Sequence, residues 1–293
     1  SFLIYDFDLV IVNTPDHTHY EYTKKALEAG KHVVVEKPFV QNPNEGKELI
    51  DIANKKELLL TVFQNRRWDG DFMTVKKVIE SKMLGKLVEY EAHFDRYRNF
   101  IQPDTWKEDP GTGTGILFNL GAHMIDQVIV LFGKPALVSA DIRYMRTGSK
   151  VDDYYDIDLF YDDVKVKVKS SYLVREQGPR YILHGTEGSF LKWGIDPQEA
   201  ALKKGGLPTD EQWGIEDEED LGVLNTNINR LHVDGRIETI PGDYSRFYKN
   251  VFDAIRNNSE PAIKPAESLL GVEIINAAFE SNKSGKRIQL MDI

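Results

Sequence analysis

Glu36-Lys37-Pro38 follows directly on the apolar, β-branched run His32-Val-Val-Val35. A lysine between a buried strand and a proline has little freedom to swing into solvent, because the residue before proline is confined to extended backbone. An ammonium held there can hydrogen-bond a substrate hydroxyl or exchange a proton with it. The same tripeptide also fits a turn in which Lys37 simply pairs with Glu36. The second group of candidates lies in the segment 116–132, which is mostly apolar. Its polar members Asn119, His123, Asp126 and Gln127 are spaced 4, 3 and 1 apart and share one helical face. Unpaired buried polar groups cost about 1–3 kcal/mol each. The stripe must therefore satisfy itself against neighbouring groups or line a cavity. A histidine such as His123 suits acid–base work near neutrality.

Other residues are less specific. Gly111-Thr-Gly-Thr-Gly115 lacks the Gly-Lys-Ser/Thr ending of a P-loop and reads as a place where backbone or substrate approaches closely. His17 and His19 have no nearby carboxylate set, so no metal site is expected. Trp106, among Asp104, Glu108 and Asp109, could stack on a sugar ring or sit as a surface aromatic. Arg66 or Arg67 could meet an anionic substrate, or pair with Asp69 or Asp71. The acidic run Glu216–Asp220 reads as solvated surface.

The elements that must position these residues are legible in outline. Leu9–Asn13, His32–Val35 and Leu58–Phe63 read as strands buried on both faces. Between them lie a helix with Tyr22, Ala26 and Leu27 on one side, stopping at Gly30, and a helix capped by Asn44 and running to about Lys55 with Leu49, Ile50 and Ala53 inward. A further helix spans about Asp71–Ser81. Such alternation with short connections predicts a parallel sheet. Ligands bind beyond the carboxyl ends of such strands, so the loops Thr14–His19, Glu36–Pro38 and Gln64–Arg67 are expected to line one crevice. After Gly85 the pattern changes to long strands, Leu87–Asp95 and Ala136–Arg146, around the single helix. A hairpin turning at Asp162-Asp163 sets Asp158 against Lys167 and Asp156 against Lys169 on one face. Its other face carries Tyr155, Ile157, Leu159, Val164, Val166 and Val168 and must be covered, which predicts a largely antiparallel sheet with helices on one side. Tyr181–His184 and Ser189–Trp193 read as further strands, Thr209–Asp220 as a loop, Ser245–Asn257 and Ala266–Ser281 as helices, and the region of Ile288 as a short strand.

Composition bounds the function class. With 293 residues, 41% apolar and 29% charged, the chain has the balance of one large or two ordinary globular domains. Acidic residues outnumber basic ones 47 to 37, a net charge of −10 that argues against nucleic acid as a partner. There is no cysteine, which removes thiolate chemistry and disulfides and fits a reducing, cytoplasmic setting. No apolar run approaches the roughly 20 residues that span a membrane.

Taken in order, these residues closely resemble the Gfo/Idh/MocA family of glucose–fructose oxidoreductase and inositol dehydrogenase. The resemblance covers essentially the whole chain: Asp8–Pro15 with His19, Ala29–His32, Glu36–Pro38, Asn65–Arg67, Gly115–His123 with Ile125-Asp126, Phe247 with Asp253–Arg256, and Ala277 with Gly285–Arg287. It implies an α/β chain: a partial Rossmann parallel sheet over residues 1–84, followed over 85–293 by an α+β substrate-binding and oligomerisation domain with an open, mostly antiparallel sheet. It implies an NAD(P)-dependent dehydrogenase or reductase, moving a hydride between NAD or NADP and a secondary alcohol of a sugar, cyclitol or related hydroxy compound. By position, Asn13, Thr14, Pro15, His17, Glu36, Lys37 and Asn65 are expected at the cofactor. Lys37, Arg66, Arg67, Trp106, Asn119 and His123 are expected at the substrate, with Lys37, His123 and Asn119 catalytic. A homodimer or homotetramer joined through the free sheet face is expected.

Two departures from the family pattern shape the expectations. The opening strand, the glycine-rich dinucleotide fingerprint and the acidic ribose-binding residue are absent, so a segment of about 60 residues carrying them is expected before Asp8. Asn119 stands where many members have an aspartate, and an amide takes no proton and carries no charge. The alternative that Asn119 motivates is a non-catalytic nucleotide- or sugar-binding member acting as regulator or scaffold.

Overall fold

The computed structural model describes residues 6–103, 105, 108–111 and 113–290. The first part alternates β1 (Leu9–Val12), α1 (His19–Glu28), β2 (His32–Val35), α2 (Pro43–Lys55) and β3 (Leu60–Val62), followed by α3 (Gly70–Glu80). The strands lie parallel in the order β1-β2-β3, with Leu9 beside His32 and Val33 beside Leu60. The β-branched residues of β2 are sealed on both faces, Val33, Val34 and Val35 being fully buried. β1 departs from the expected two-sided burial. It pairs only with β2 among the described residues, and Ile11 is 54% exposed while Val10 and Val12 point inward. Tyr22 of α1 also faces solvent rather than sharing the buried side of Ala26 and Leu27. α2 is capped by Asn42, not Asn44: the Asn42 side chain accepts from the Asn44 N–H at 3.0 Å, which leaves Pro43 in the first turn where its missing N–H costs nothing.

The second part holds β4 (Leu87–His93), α4 (Ala122–Phe132), β5 (Leu137–Arg143), β6 (Tyr154–Phe160), β7 (Lys165–Ser171), β8 (Tyr181–Gly185), β9 (Gly188–Lys192), α5 (Gln198–Lys203), β10 (Gly222–Ile228), β11 (Leu231–Ile237), α6 (Ser245–Asn257), α7 (Pro265–Ser284) and β12 (Ile288–Gln289). Nine strands form one sheet in the order β11-β10-β9-β8-β4-β7-β6-β5-β12, antiparallel throughout except at β4–β7. The β6–β7 hairpin has the register expected from its turn, Asp158 beside Lys167 and Asp156 beside Lys169. The ion pairing is diagonal, however: Lys167 reaches both Asp156 and Asp158, while Lys169 lies over the Tyr154 ring. Tyr155, Ile157, Leu159, Val166 and Val168 of the opposite face are buried beneath α4 and α7.

β10 and β11 lie outside the strands expected from the sequence: Leu231, Val233 and Ile237 alternate with polar residues along β11, yet the strand is exposed along nearly its whole length, so the alternation marks no buried face. The acidic run after it in space is not all solvated surface either. Glu216 has a side chain only 2% exposed and bonds the fully buried Lys192 at 2.7 Å. The remaining ammonium hydrogens of Lys192 go to the Trp193 and Asp220 carbonyls, so a buried charge is fully partnered. Asp104 and Trp106 lie outside the described residues.

The two cores are not contiguous in sequence. Val75 and Val78 of α3 belong to the larger core around the nine-stranded sheet. Phe247 and Val251 of α6, with Leu269 and Val272 of α7, return to seal the parallel sheet. The second half of α7 packs its Ile274, Ile275 and Ala278 into the larger core, so one helix clamps the two sheets together. Among the described residues no helix is long and apolar enough to cross a membrane.

Candidate active site

All three loops that follow the parallel strands reach one cavity of about 690 Å³. Asn13, Thr14, Asp16 and His19 come from the loop after β1, Glu36 and Lys37 from that after β2, and Asn65 and Arg66 from that after β3. The crevice expected from strand polarity is therefore present, with two exchanges in its lining. Pro15 and His17 are exposed and do not border it; the short turn Asp16–Thr18 aims them outward. Asp16 and His19, which belong to the loop expected to line the crevice but not to the residues expected at the cofactor, take their place. His19 Nδ1 lies 2.8 Å from the Pro38 carbonyl and Nε2 lies 3.0 Å from the Thr14 carbonyl. Its ring bridges the first loop to the second and is not free to hold a metal. The signals for His19 were its place at the end of the loop expected to line the crevice and its part in the family resemblance.

The opposite wall comes from the second sheet and its helices. Lys37, whose peptide bond to Pro38 is cis, donates through Nζ to the Asn119 carbonyl at 2.8 Å and to its side-chain Oδ1 at 3.3 Å. Asn119 sits in a single π-helical turn, Leu117–Gly121, ahead of α4. Such turns run their backbone bonds i→i+5 and recur at functional sites. His123, one turn further on, borders the same cavity and is 7% exposed, and its Nδ1 has no hydrogen-bond partner among the described residues. Burial, and then the charges of Lys37, Arg66, Arg180 and Arg96, hold its pKa well below the usual histidine value. The imidazole is neutral at physiological pH.

The polar stripe of this helix divides. Asn119 and His123 line the cavity, whereas Asp126 and Gln127 are satisfied elsewhere. Arg67 grips Asp126 with two parallel bonds of 2.8 and 2.7 Å and also meets Glu267 at 2.8 Å. Arg67 is thus buried in an ion cluster and does not border the cavity, contrary to the expectation that it meets substrate; its partners are Asp126 and Glu267 rather than Asp69 or Asp71. Gln127 donates to the Arg66 carbonyl at 3.0 Å and accepts from the Tyr181 hydroxyl at 2.9 Å. Arg66 does line the cavity, and it pairs with Asp69 at 3.0 Å and with Glu199 of α5. Asp69 also accepts from the Tyr244 hydroxyl at 2.7 Å. Burial pushes the Asp69 carboxyl up to about 8, with Arg66 opposing.

The glycine-rich segment acts through close approach, as its lack of side chains suggested. A Cβ on Gly115 would stand 1.9 Å from Asp152 Oδ1. That carboxylate accepts the Leu117 N–H at 2.8 Å and the Asp152 carbonyl accepts the Ile116 N–H at 2.9 Å, which together cap the turn leading to Asn119 and His123. Gly113 borders the cavity; a Cβ there would meet the Gln41 amide at 2.6 Å and Asp16 Oδ2 at 2.8 Å, so bare backbone forms part of the wall.

Comparison with known proteins agrees with this layout. Residues 3–64 match the oxidoreductase family NAD-binding Rossmann fold (GFO_IDH_MocA), and residues 76–290 match the C-terminal alpha/beta domain of the same family. The scyllo-inositol 2-dehydrogenase (NADP(+)) IolW of Bacillus subtilis is 40% identical over 286 residues, which are 97% of this chain and 79% of that one. A crystal structure of a protein assigned as an oxidoreductase from Bacteroides fragilis superposes with a TM-score of 0.89 at 46% identity, covering 97% of this chain and 82% of the other. The yvaA structure from Bacillus subtilis gives a TM-score of 0.94 at 38% identity, covering 97% and 81%.

Proposed function

The chain belongs to the Gfo/Idh/MocA oxidoreductase family, and from that premise we propose that it is an NAD(P)-dependent enzyme moving a hydride to or from a secondary alcohol of a sugar or cyclitol. The observation that carries the reading is that Lys37 at the tip of β2 and His123 of α4 border one cavity, with the ammonium acting on the imidazole.

The residues present fit a nicotinamide dinucleotide. Asn13, Thr14, Glu36, Lys37 and Asn65 stand at the strand ends where such a group would be held, and the bare backbone at Gly113 leaves room for close approach. When bound, the cofactor supplies the hydride acceptor or donor, which is its own chemistry. The protein positions the alcohol and handles its proton. Lys37, anchored by Asn119, donates a hydrogen bond to the reacting oxygen and stabilises negative charge on it. His123, kept neutral by burial and four cations, takes the hydroxyl proton in the oxidative direction and returns it in the reductive one. Asn119 fits this scheme without titrating: its carbonyl and amide oxygen orient the ammonium, a task that needs acceptors and not a carboxylate's charge.

The test is nicotinamide absorbance with the full-length protein across inositols and aldoses, in parent and His123→Asn. Loss of about 10²–10⁴-fold in kcat, with cofactor affinity retained, is expected. Tight cofactor binding with no turnover on the whole panel would refute catalysis and favour a binding protein.

A further inference from the structure

We propose that the substrate carries an anionic group, as a sugar acid or sugar phosphate does, held by Arg96 and Arg98. This rests on the dehydrogenase reading and names the class of substrate for it. The two arginines follow β4 in an extended stretch, where Arg96 N–H donates to the Ser171 carbonyl at 2.9 Å and Arg98 N–H to that of Tyr172 at 2.7 Å. Alternation along such backbone puts residues 96 and 98 on one side and Tyr97 on the other. Arg96 and Arg98 both border the cavity, while Tyr97 is exposed and bonded to Arg175.

Neither arginine makes an ion pair among the described residues, in a protein whose net charge is −10. Their guanidinium groups rest instead on aromatic rings, Arg96 on Phe94 at 5.2 Å and Arg98 on Tyr172 at 5.3 Å. The carboxylates that share their wall are already engaged, Glu199 with Arg66 and Lys203, and Glu108 with Arg146. Burial lowers the pKa of Arg96, and the charges of Arg66 and Arg98 add to the fall against Tyr172 and Glu199. Two guanidinium groups resting on rings, without counter-ions among the described residues and bordering a cavity, present the planar donor geometry that carboxylate and phosphate accept. Arg96 also contributes to the field on His123, and both arginines border the cavity that His123 borders.

The experiment compares kcat/KM on gluconate and glucose 6-phosphate with that on glucose and scyllo-inositol, in full-length parent, Arg96→Gln and Arg98→Gln. The parent should favour an anionic substrate, and each substitution should lower the ratio of anionic to neutral kcat/KM roughly ten- to hundredfold. Which of gluconate and glucose 6-phosphate loses more identifies the anion. A parent that prefers neutral polyols, or a ratio unmoved by both substitutions, overturns the proposal while leaving the dehydrogenase reading intact. So does weaker NADPH binding in the variants with an unchanged substrate ratio. If no substrate is turned over, thermal melting decides the anion site separately. Gluconate or glucose 6-phosphate stabilising the parent more than glucose, with the difference lost in both variants, upholds it; equal shifts refute it.

Discussion

Gly115→Ala isolates the link between the glycine-rich segment and the site. Gly115 has φ +90°, where an L side chain is strained by about 1–3 kcal/mol. The new Cβ would lie 1.9 Å from Asp152 Oδ1 and 2.5 Å from its Cγ, so the carboxylate must move. Moving it breaks the bond to the Leu117 N–H, a charge-assisted contact worth about 1.5–3 kcal/mol. Together these give a loss of roughly 2.5–6 kcal/mol. At roughly 2 °C per kcal/mol for a chain of this size, that is a melting temperature lower by roughly 5–12 °C. Because the turn it caps carries Asn119 and leads to His123, kcat should fall about tenfold or more as the two groups shift from alignment. Gly111→Ala is the internal control: a Cβ there meets nothing within 4 Å, and the change should stay within about 0.5 kcal/mol. Calorimetry and steady-state rates on both variants check this. If Gly115→Ala melts and turns over like Gly111→Ala, Asp152 does not hold the turn and the explanation of the glycines is wrong.

Arg67→Ala would leave Asp126 and Glu267 unpaired and should cost about 3–5 kcal/mol, seen in denaturant unfolding. A raised KM with unchanged stability would instead return Arg67 to the substrate. The pH profile follows from His123, faced by Lys37, Arg66, Arg180 and Arg96, whose depressed pKa keeps the base form present throughout neutrality. kcat/KM for oxidation should therefore hold down through pH 6.5 and fall only below it; an acid limb centred above neutrality would contradict the assignment. The same lowered value means that the stability this site contributes is full above the unfolded histidine pKa and lost as pH falls, because the unfolded chain takes up the proton first. Light scattering should give a dimer or tetramer, with the charged outer face of the nine-stranded sheet as the joining surface, and a monomer at micromolar concentration would refute it.

Much of the architecture was legible because its signals are local. Buried β-branched runs marked β2 and the core of β3, the Asp162-Asp163 turn set the β6–β7 register to the residue, and strand polarity gathered three loops at one crevice. Errors arose where a neighbour decides. Ile11 looks buried by composition and is exposed because it points to the face opposite Val10 and Val12, which is uncovered there among the described residues. β11 alternates Leu231, Val233 and Ile237 with polar residues, but it is exposed along nearly its whole length, so its alternation does not mark a buried face.

Within the site the division is the same. Residue types and strand ends marked Lys37 and His123 as candidates, each with a structural alternative left open, and the family resemblance gave them their expected roles. Only the folded chain assigns partners. Asn119 and His123 face the cavity while Asp126 and Gln127, on the same stripe, are spent on Arg67, Arg66 and Tyr181. Arg66 and Arg67 are adjacent in sequence, yet one lines the site and the other is buried in an ion cluster with α4 and α7. Helical periodicity says which residues share a face, but whether that face meets solvent, ligand or a distant carboxylate depends on contacts between residues up to 200 positions apart.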